Sequence, residues 1–171
     1  EVSDWQQTQQ GIAATLPIQN LLTKEREYQL KIQLDTENYG PVYYYTRIIW
    51  TDSAQHARDM VDLAADFSLK TFDYEQAKSL ATYLETSPSE DNSTFGHTSI
   101  HSSFSQLTWG KLNMQPEGNV EIRLKELDGV MCGVQLSYQA KRQGDGTEET
   151  YEVEEDFTLK WNELRIYMMQ Y

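Results

Sequence analysis

The chain has little cysteine, little positive charge and no long apolar run. With Cys132 alone among 171 residues no internal disulfide can form. Its place in a strongly alternating stretch predicts a small buried hydrophobe rather than a reactive thiol. Lys and Arg number 14 against 27 Asp and Glu, a formal charge of −13, which repels a phosphate backbone and argues against a nucleic-acid partner. No stretch approaches the roughly 18 apolar residues of a membrane-spanning helix, and no secretory signal is visible. The chain begins at Glu1 rather than at an initiator methionine, so its natural N-terminus is expected upstream, with room for an anchor or signal there, and a membrane is a partner only through such a segment. No Gly-rich nucleotide loop, Gly-x-Ser-x-Gly elbow or Cys-His arrangement occurs, so no catalytic residue and no cofactor is expected.

What is present suffices for a folded body. Hydrophobic residues make up 39% and aromatics 12%, enough to build one core and too many for a disordered chain. Residues 1–26 are polar and Gln-rich, broken near Gly11 and Pro17, and are expected to be a partly helical lead. Residues 27–171 are expected to form a single domain. In 27–35 Tyr28, Leu30, Ile32 and Leu34 alternate with polar neighbours, the period of a half-buried strand. Gly40-Pro41 punctuates, and the β-branched and aromatic run 42–50 predicts the second strand of a hairpin.

From Ala54 onward Ala57, Met60, Val61, Ala64 and Phe67 recur at spacings of three and four, predicting a helix over 53–70 capped by Asp52 or Ser53. Asp73 caps a second helix with Ala77, Leu80, Ala81 and Leu84 on one stripe, ended by Ser87-Pro88. Phe67, Phe72 and Tyr74 are expected to be the aromatic hinge by which the two helices cover a sheet. Residues 87–103 have the composition of an exposed loop.

Beyond Leu107 every segment alternates, and paired strands must put their apolar residues on one face. Val120, Ile122 and Leu124 are even-numbered, as are Val130, Cys132, Val134, Leu136 and Tyr138, which calls for a three-residue loop at Leu127-Asp128-Gly129. Tyr151, Val153, Phe157, Leu159 and Trp161 are odd-numbered, so a two-residue loop at Gly144-Asp145 would oppose Tyr138 to Tyr151 and Leu136 to Val153. Leu164, Ile166 and Met168 return to even numbers and predict a two-residue loop at Asn162-Glu163. The result is an antiparallel meander of at least four strands.

Candidate sites are few. His97 and His101 stand four apart, but in a Ser/Thr-rich loop without the glutamate of a zinc-protease motif, so no metal is expected. His56 falls in the first turn of the 53–70 helix as a surface or capping residue. The acidic run from Asp145 to Asp156 is expected to be mainly a solvated strand face. No calcium-loop pattern accompanies it. Asn92-Ser93-Thr94 matches a glycosylation sequon at chance level. Glu155 differs, because its parity puts it on the apolar face between Val153 and Phe157, where burial would raise its pKa. A pocket lined by Cys132, Val134, Glu155 and Phe157 is the corresponding expectation. On the outer face Tyr167, Met169 and Tyr171 form a row suited to protein contact.

The stretch "AADFSLKTFDYEQAKSLATYLE", a polar loop, and a meander closing in "FTLKWNELRIYMMQY" resemble the cone-shaped α+β fold of the nuclear transport factor 2-like superfamily. More narrowly, Phe67, Phe72, Asp73 and Tyr74, with Trp161 to Ile166, are similar to the extracytoplasmic domains of Gram-positive conjugal transfer proteins of the TcpC type and to inner-membrane scaffold subunits of type IV secretion systems. The resemblance spans roughly residues 53–171. It implies α+β architecture with N-terminal helices packed on a curved meander. It also implies a non-enzymatic, membrane-anchored extracytoplasmic scaffold that contacts other secretion or conjugation proteins and can form homo-oligomers. Two other readings stay open: a small-molecule-binding or catalytic cone-fold protein with its pocket near Glu155, and a pilin-like or lipoprotein ectodomain.

Overall fold

A computed structural model describes residues 2, 4–9, 11–18, 23–24, 26–51, 56–84, 94–110, 112–142 and 148–171. The chain forms two compact units, Glu1–Asp52 and Ser53–Tyr171. The division expected at residue 26 falls inside the first of them.

The first unit holds two hairpins. β1 (Trp5–Thr8) pairs antiparallel with β2 (Gly11–Ala14), Trp5 opposite Ala14 and Thr8 opposite Gly11. This corrects the helical lead. Gly11 adopts φ +131°, which an L side chain rarely takes, and the Thr8 hydroxyl donates to the Gly11 carbonyl at 2.9 Å. The chain therefore reverses where a helix would have had to continue. β3 (Glu27–Thr36) and β4 (Gly40–Ile49) form the expected hairpin, in register from Thr36 opposite Gly40 to Glu27 opposite Ile49. Gly40 at φ +66° closes the turn, and the Thr36 hydroxyl accepts from the Tyr39 amide and donates to the Gly40 carbonyl.

In the second unit α1 (Ala57–Lys70) is followed by the single turn α2 (Tyr74–Ala77), a 3-10 stretch Lys78–Tyr83 and the single turn α3 (Phe104–Leu107). Asp73 caps α2 as expected, its carboxylate accepting from the Glu75 and Gln76 amides at 2.9 and 3.1 Å. These bonds hold its pKa below the usual carboxylate value, the one from Gln76 most. The expected cap of α1 at Asp52 or Ser53 lies outside the described residues. Four antiparallel strands follow in sequential order: β5 (Met114–Asp128), β6 (Met131–Arg142), β7 (Glu149–Trp161) and β8 (Ile166–Gln170).

The chain is thus mostly β, 51% strand and 20% helical. The expected α+β cone of the nuclear transport factor 2-like kind, with N-terminal helices on a meander, is overturned. Strand periodicity governs the N-terminal residues, and the helical period holds only through the short middle of the chain.

The β6–β7 and β7–β8 hairpins slip by two residues from the expected pairing, and β5–β6 changes register twice along its length. Leu136 opposes Glu155 and Tyr138 opposes Val153, where parity had suggested Val153 and Tyr151. Trp161 opposes Ile166 across a four-residue turn in which the Asn162 side chain accepts from the Leu164 and Arg165 amides, both at 2.9 Å, so Leu164 is exposed rather than inward. Between β5 and β6 the chain turns at Gly129-Val130, with Asp128 opposite Met131. The extra residue that parity demanded is absorbed as a bulge between Leu124 and Glu126. Shifting a pair by two residues returns every side chain to its own face, so alternation cannot detect the slip.

The core lies between α1 and the inner face of β6 and β7. Met60, Ala64 and Phe67 of α1 are buried against Val134, Leu136, Phe157 and Leu159. Phe67 is fully enclosed, its ring centroid 5.6 Å from that of Phe157 and 5.0 Å from that of Tyr171. Phe72 stacks on Trp109 at 5.5 Å and meets Tyr138 edge-on at 5.9 Å. Tyr74 lies outside this core, edge-on to Phe104 and half-exposed. Phe67→Ala is expected to lower stability by about 3–5 kcal/mol, the usual result of emptying an aromatic site that cannot collapse. Urea unfolding of the whole chain followed by near-ultraviolet circular dichroism measures it, and a loss under about 1 kcal/mol would place the core elsewhere.

Candidate functional site

Two places stand out: a buried carboxyl in the second unit and an uncovered apolar face in the first.

Glu155 sits on the inner face of β7 because it is odd-numbered between Val153 and Phe157, and it is only 5% exposed. Three elements surround it. Tyr171, just past β8, donates its hydroxyl hydrogen bond to Oε1 at 2.9 Å. Ser68 of α1 donates to the Tyr138 hydroxyl of β6 at 3.3 Å, and both hydroxyls lie close enough to the carboxyl to favour its ionised form. Neither reaches Oε2 within hydrogen-bond distance, and that buried oxygen has no partner. Burial outweighs these hydroxyls and raises the Glu155 pKa. Leaving one carboxyl oxygen unbonded costs about 1–3 kcal/mol. Burying the uncompensated charge costs several, so burial shifts the balance toward the neutral acid. The same burial, then the nearby carboxyl, raises the Tyr138 and Tyr171 hydroxyls well above their ordinary value.

A cavity of about 470 Å³ adjoins this cluster, with Glu155 and Tyr171 in its wall and Phe95, Thr98, Trp109 and Tyr151 around it. Its outer wall is shaped by the turn after α3. Trp109 and Gly110 both take positive φ, +60° and +58°, and a Cβ on Gly110 would come within 3.0 Å of the Phe95 ring. Glycine here permits both the backbone turn and the seat of Phe95. The Gln106 side-chain amide donates to the Thr94 carbonyl and ties the 94–98 segment to α3.

Of the expected pocket residues only Glu155 reaches this cavity. Cys132, Val134 and Phe157 are buried in the packed core, so the pocket expected among them is filled. Burial pushes the Cys132 thiol up to about 11, which suits an inert hydrophobe. The expected row of Tyr167, Met169 and Tyr171 is broken. Leu159 pairs with Met168 and Thr158 with Gln170, so Met169 is the extra residue of a bulge. Parity flips there, and Tyr171 turns inward onto Phe67, Phe157 and Glu155. Met169 stays half-exposed, and Tyr167 lies under the Arg165 guanidinium, 4.2 Å from its ring centroid. A bulge leaves no mark in alternation, so Tyr171 was legible only as an outward residue. Ser68 carried no signal beyond its helical spacing from Ala64.

His56 starts α1, where its ring stacks on Trp161 at 3.7 Å and its Nδ1 lies 3.3 Å from the Asp59 carboxylate. Among the described residues no cluster of His, Cys, Asp or Glu could hold a metal. Asn92 and Ser93 of the sequon and the Asp145 end of the acidic run lie outside the described residues. Glu149, Glu152, Glu154 and Asp156 are exposed, with Glu152 and Asp156 bonded to Gln139 and Gln135 across the sheet.

The second place is the β3–β4 hairpin. Cross-strand partners share a face, so Tyr28, Leu30, Ile32 and Leu34 stand beside Val42, Tyr44 and Ile48 on one side. The other side carries Lys31, whose ammonium sits 4.0 Å from the Tyr43 ring centroid. Among the described residues of Glu1–Asp52 none is buried.

No family model, no curated protein and no solved structure matches this chain. Nor is any helix among the described residues long and apolar enough to cross a membrane.

The Glu155 environment has a pH signature. The folded pKa lies above the unfolded value of 4.5, so stability is fully present below about that pH and falls as pH rises through the folded value. Glu155→Gln is expected to raise the unfolding midpoint at about pH 8 and to leave it nearly unchanged at about pH 4, because the amide cannot ionise. Thermal melts of both proteins across that range measure it, and parallel pH profiles would show that Glu155 is not the titrating group.

Proposed function

We propose that this chain is a non-enzymatic assembly domain in which the β3–β4 hairpin is an arm that docks on another protein. The observation that carries this reading is the seven-residue apolar face from Tyr28 to Ile48 in a unit with no buried described residue. A two-stranded hairpin is marginal in water by itself, and an uncovered apolar face of this kind marks a contact surface. Charge argues for a partner other than a second copy. Residues 53–171 carry 20 Asp and Glu against ten Lys and Arg, and residues 1–52 seven against four, so two copies repel. The fitting occupant is a protein with an apolar strip rimmed by Lys or Arg.

The resemblance to conjugal transfer and type IV secretion scaffolds supplies the specific form of this reading. In that form the domain is extracytoplasmic, its anchor lies in a further segment, and the arm engages a neighbouring subunit. What supports this form is the apolar face of the arm, a surface suited to protein contact.

The test is face-specific. A photo-crosslinking residue placed at Ile32 or Tyr44 in the producing cells is expected to give a covalent adduct with one polypeptide. The same group at Gln33 or Tyr45 gives none, and Leu34→Asp abolishes the Ile32 adduct. Equal labelling from both faces, or from neither, rejects the arm. Light scattering on the purified chain is expected to show a monomer at all concentrations; a dimer lost on Ile32→Asp would reassign the occupant to a second copy.

A further inference from the structure

The cavity beside Glu155 plays no part in the arm reading and has a chemistry of its own. Two features define it. Glu155 and Tyr171 are both in its wall, hydrogen-bonded to each other, and the Glu155 carboxyl keeps one buried oxygen unbonded. Its described lining contains no Lys or Arg, while Phe95, Trp109, Tyr151 and Tyr171 present aromatic rings. An anion finds no fixed positive charge among those residues. A cation finds aromatic side chains whose ring faces attract positive charge, and a carboxyl behind them.

We propose that this cavity binds a small organic cation, a protonated amine on a compact apolar body. The Tyr171 hydroxyl donates to Glu155 Oε1 and its oxygen already has the Thr98 side chain as a partner, so an ammonium N–H arriving from the cavity would share that oxygen with Thr98. Glu155 acts through Tyr171 and is a positioning residue. A cation seated here favours the carboxylate form of Glu155, whose charge and that of the ammonium balance each other, and any proton the carboxyl gives up passes to solvent. The groups facing the carboxyl are the Ser68 hydroxyl of α1, Tyr138 of β6 and Tyr171, all uncharged, with His97 on the cavity wall. Among the described lining residues there is no Lys or Arg to compete for the charge. Glu152, Glu154 and Asp156 also line the cavity, Glu152 and Asp156 bonded to Gln139 and Gln135 across the sheet; these exposed carboxylates add to the attraction for a cation, and Glu155 is the buried one among the four. The volume of about 470 Å³ matches a small ligand rather than a peptide.

Three probes of one shape separate charge from apolar fit: phenethylammonium, 2-phenylethanol and 3-phenylpropionate, each titrated into the ¹⁵N-labelled whole chain. Phenethylammonium is expected to shift the Trp109 indole and the Gly96 and Thr98 amides saturably, with the alcohol weaker and the carboxylate weakest. Glu155→Gln, which keeps the site's shape, weakens the ammonium about tenfold, equivalent to about 1.4 kcal/mol, and leaves the alcohol unchanged. Calorimetry in two buffers of different ionisation enthalpy is expected to show proton release with the wild-type chain and none with the variant. Equal shifts from all three probes, no saturable shift from the ammonium, or full ammonium affinity in Glu155→Gln would overturn the proposal. The charge series on the unaltered chain decides the matter even if the variant does not fold.

Discussion

The second unit depends on the packing of the Phe67 ring against Phe157 and Tyr171. Phe67 belongs to the helix, Phe157 to the third strand of the sheet, and Tyr171 to the end of the fourth. Three elements far apart in sequence therefore meet through one set of rings, and burying such rings contributes more than any exposed ion pair on this surface. The pairs on α1 itself, Arg58 with Asp62 and Lys70 with Asp66, are exposed or nearly so, and their worth is at most a few tenths of a kcal/mol each.

That aromatic contact explains how a carboxyl is tolerated below it. Tyr171 is held by Phe67 and Phe157, so its hydroxyl is fixed where it can satisfy Oε1 of Glu155. The other oxygen lacks a partner, and such groups are rare enough in folded proteins to call for an explanation. A site that accepts this cost for the sake of a ligand is one. The first unit shows the opposite balance: ample hydrogen bonding along two ribbons and little burial. Backbone pairing contributes only about 1 kcal/mol net per bond, which is offset by the entropy of ordering the strands.

Much of the sheet was legible in the sequence. Alternation placed Cys132, Val134, Leu136, Tyr138, Glu155, Phe157 and Leu159 on one buried face, and the structure has them there. The β3–β4 hairpin and the Asp73 cap were also legible, each from local chemistry. The helical lead was misread because a Gln-rich segment has no period strong enough to outweigh a glycine turn at Gly11. The expected pocket named four residues and found one, since side chains that line a core and side chains that line a cavity obey the same parity.

The sequence by itself determined which face each residue of the meander takes, because the strand period of two is a property of the backbone. It did not determine who opposes whom: a two-residue slip leaves every face unchanged, and only the turns and bulges, chosen by packing, select among the registers. That choice put Leu136 opposite Glu155, and the bulge at Met169 carried Tyr171 from the outer face to the carboxyl. The site beside Glu155 is therefore a product of tertiary structure, made by one extra residue in a strand.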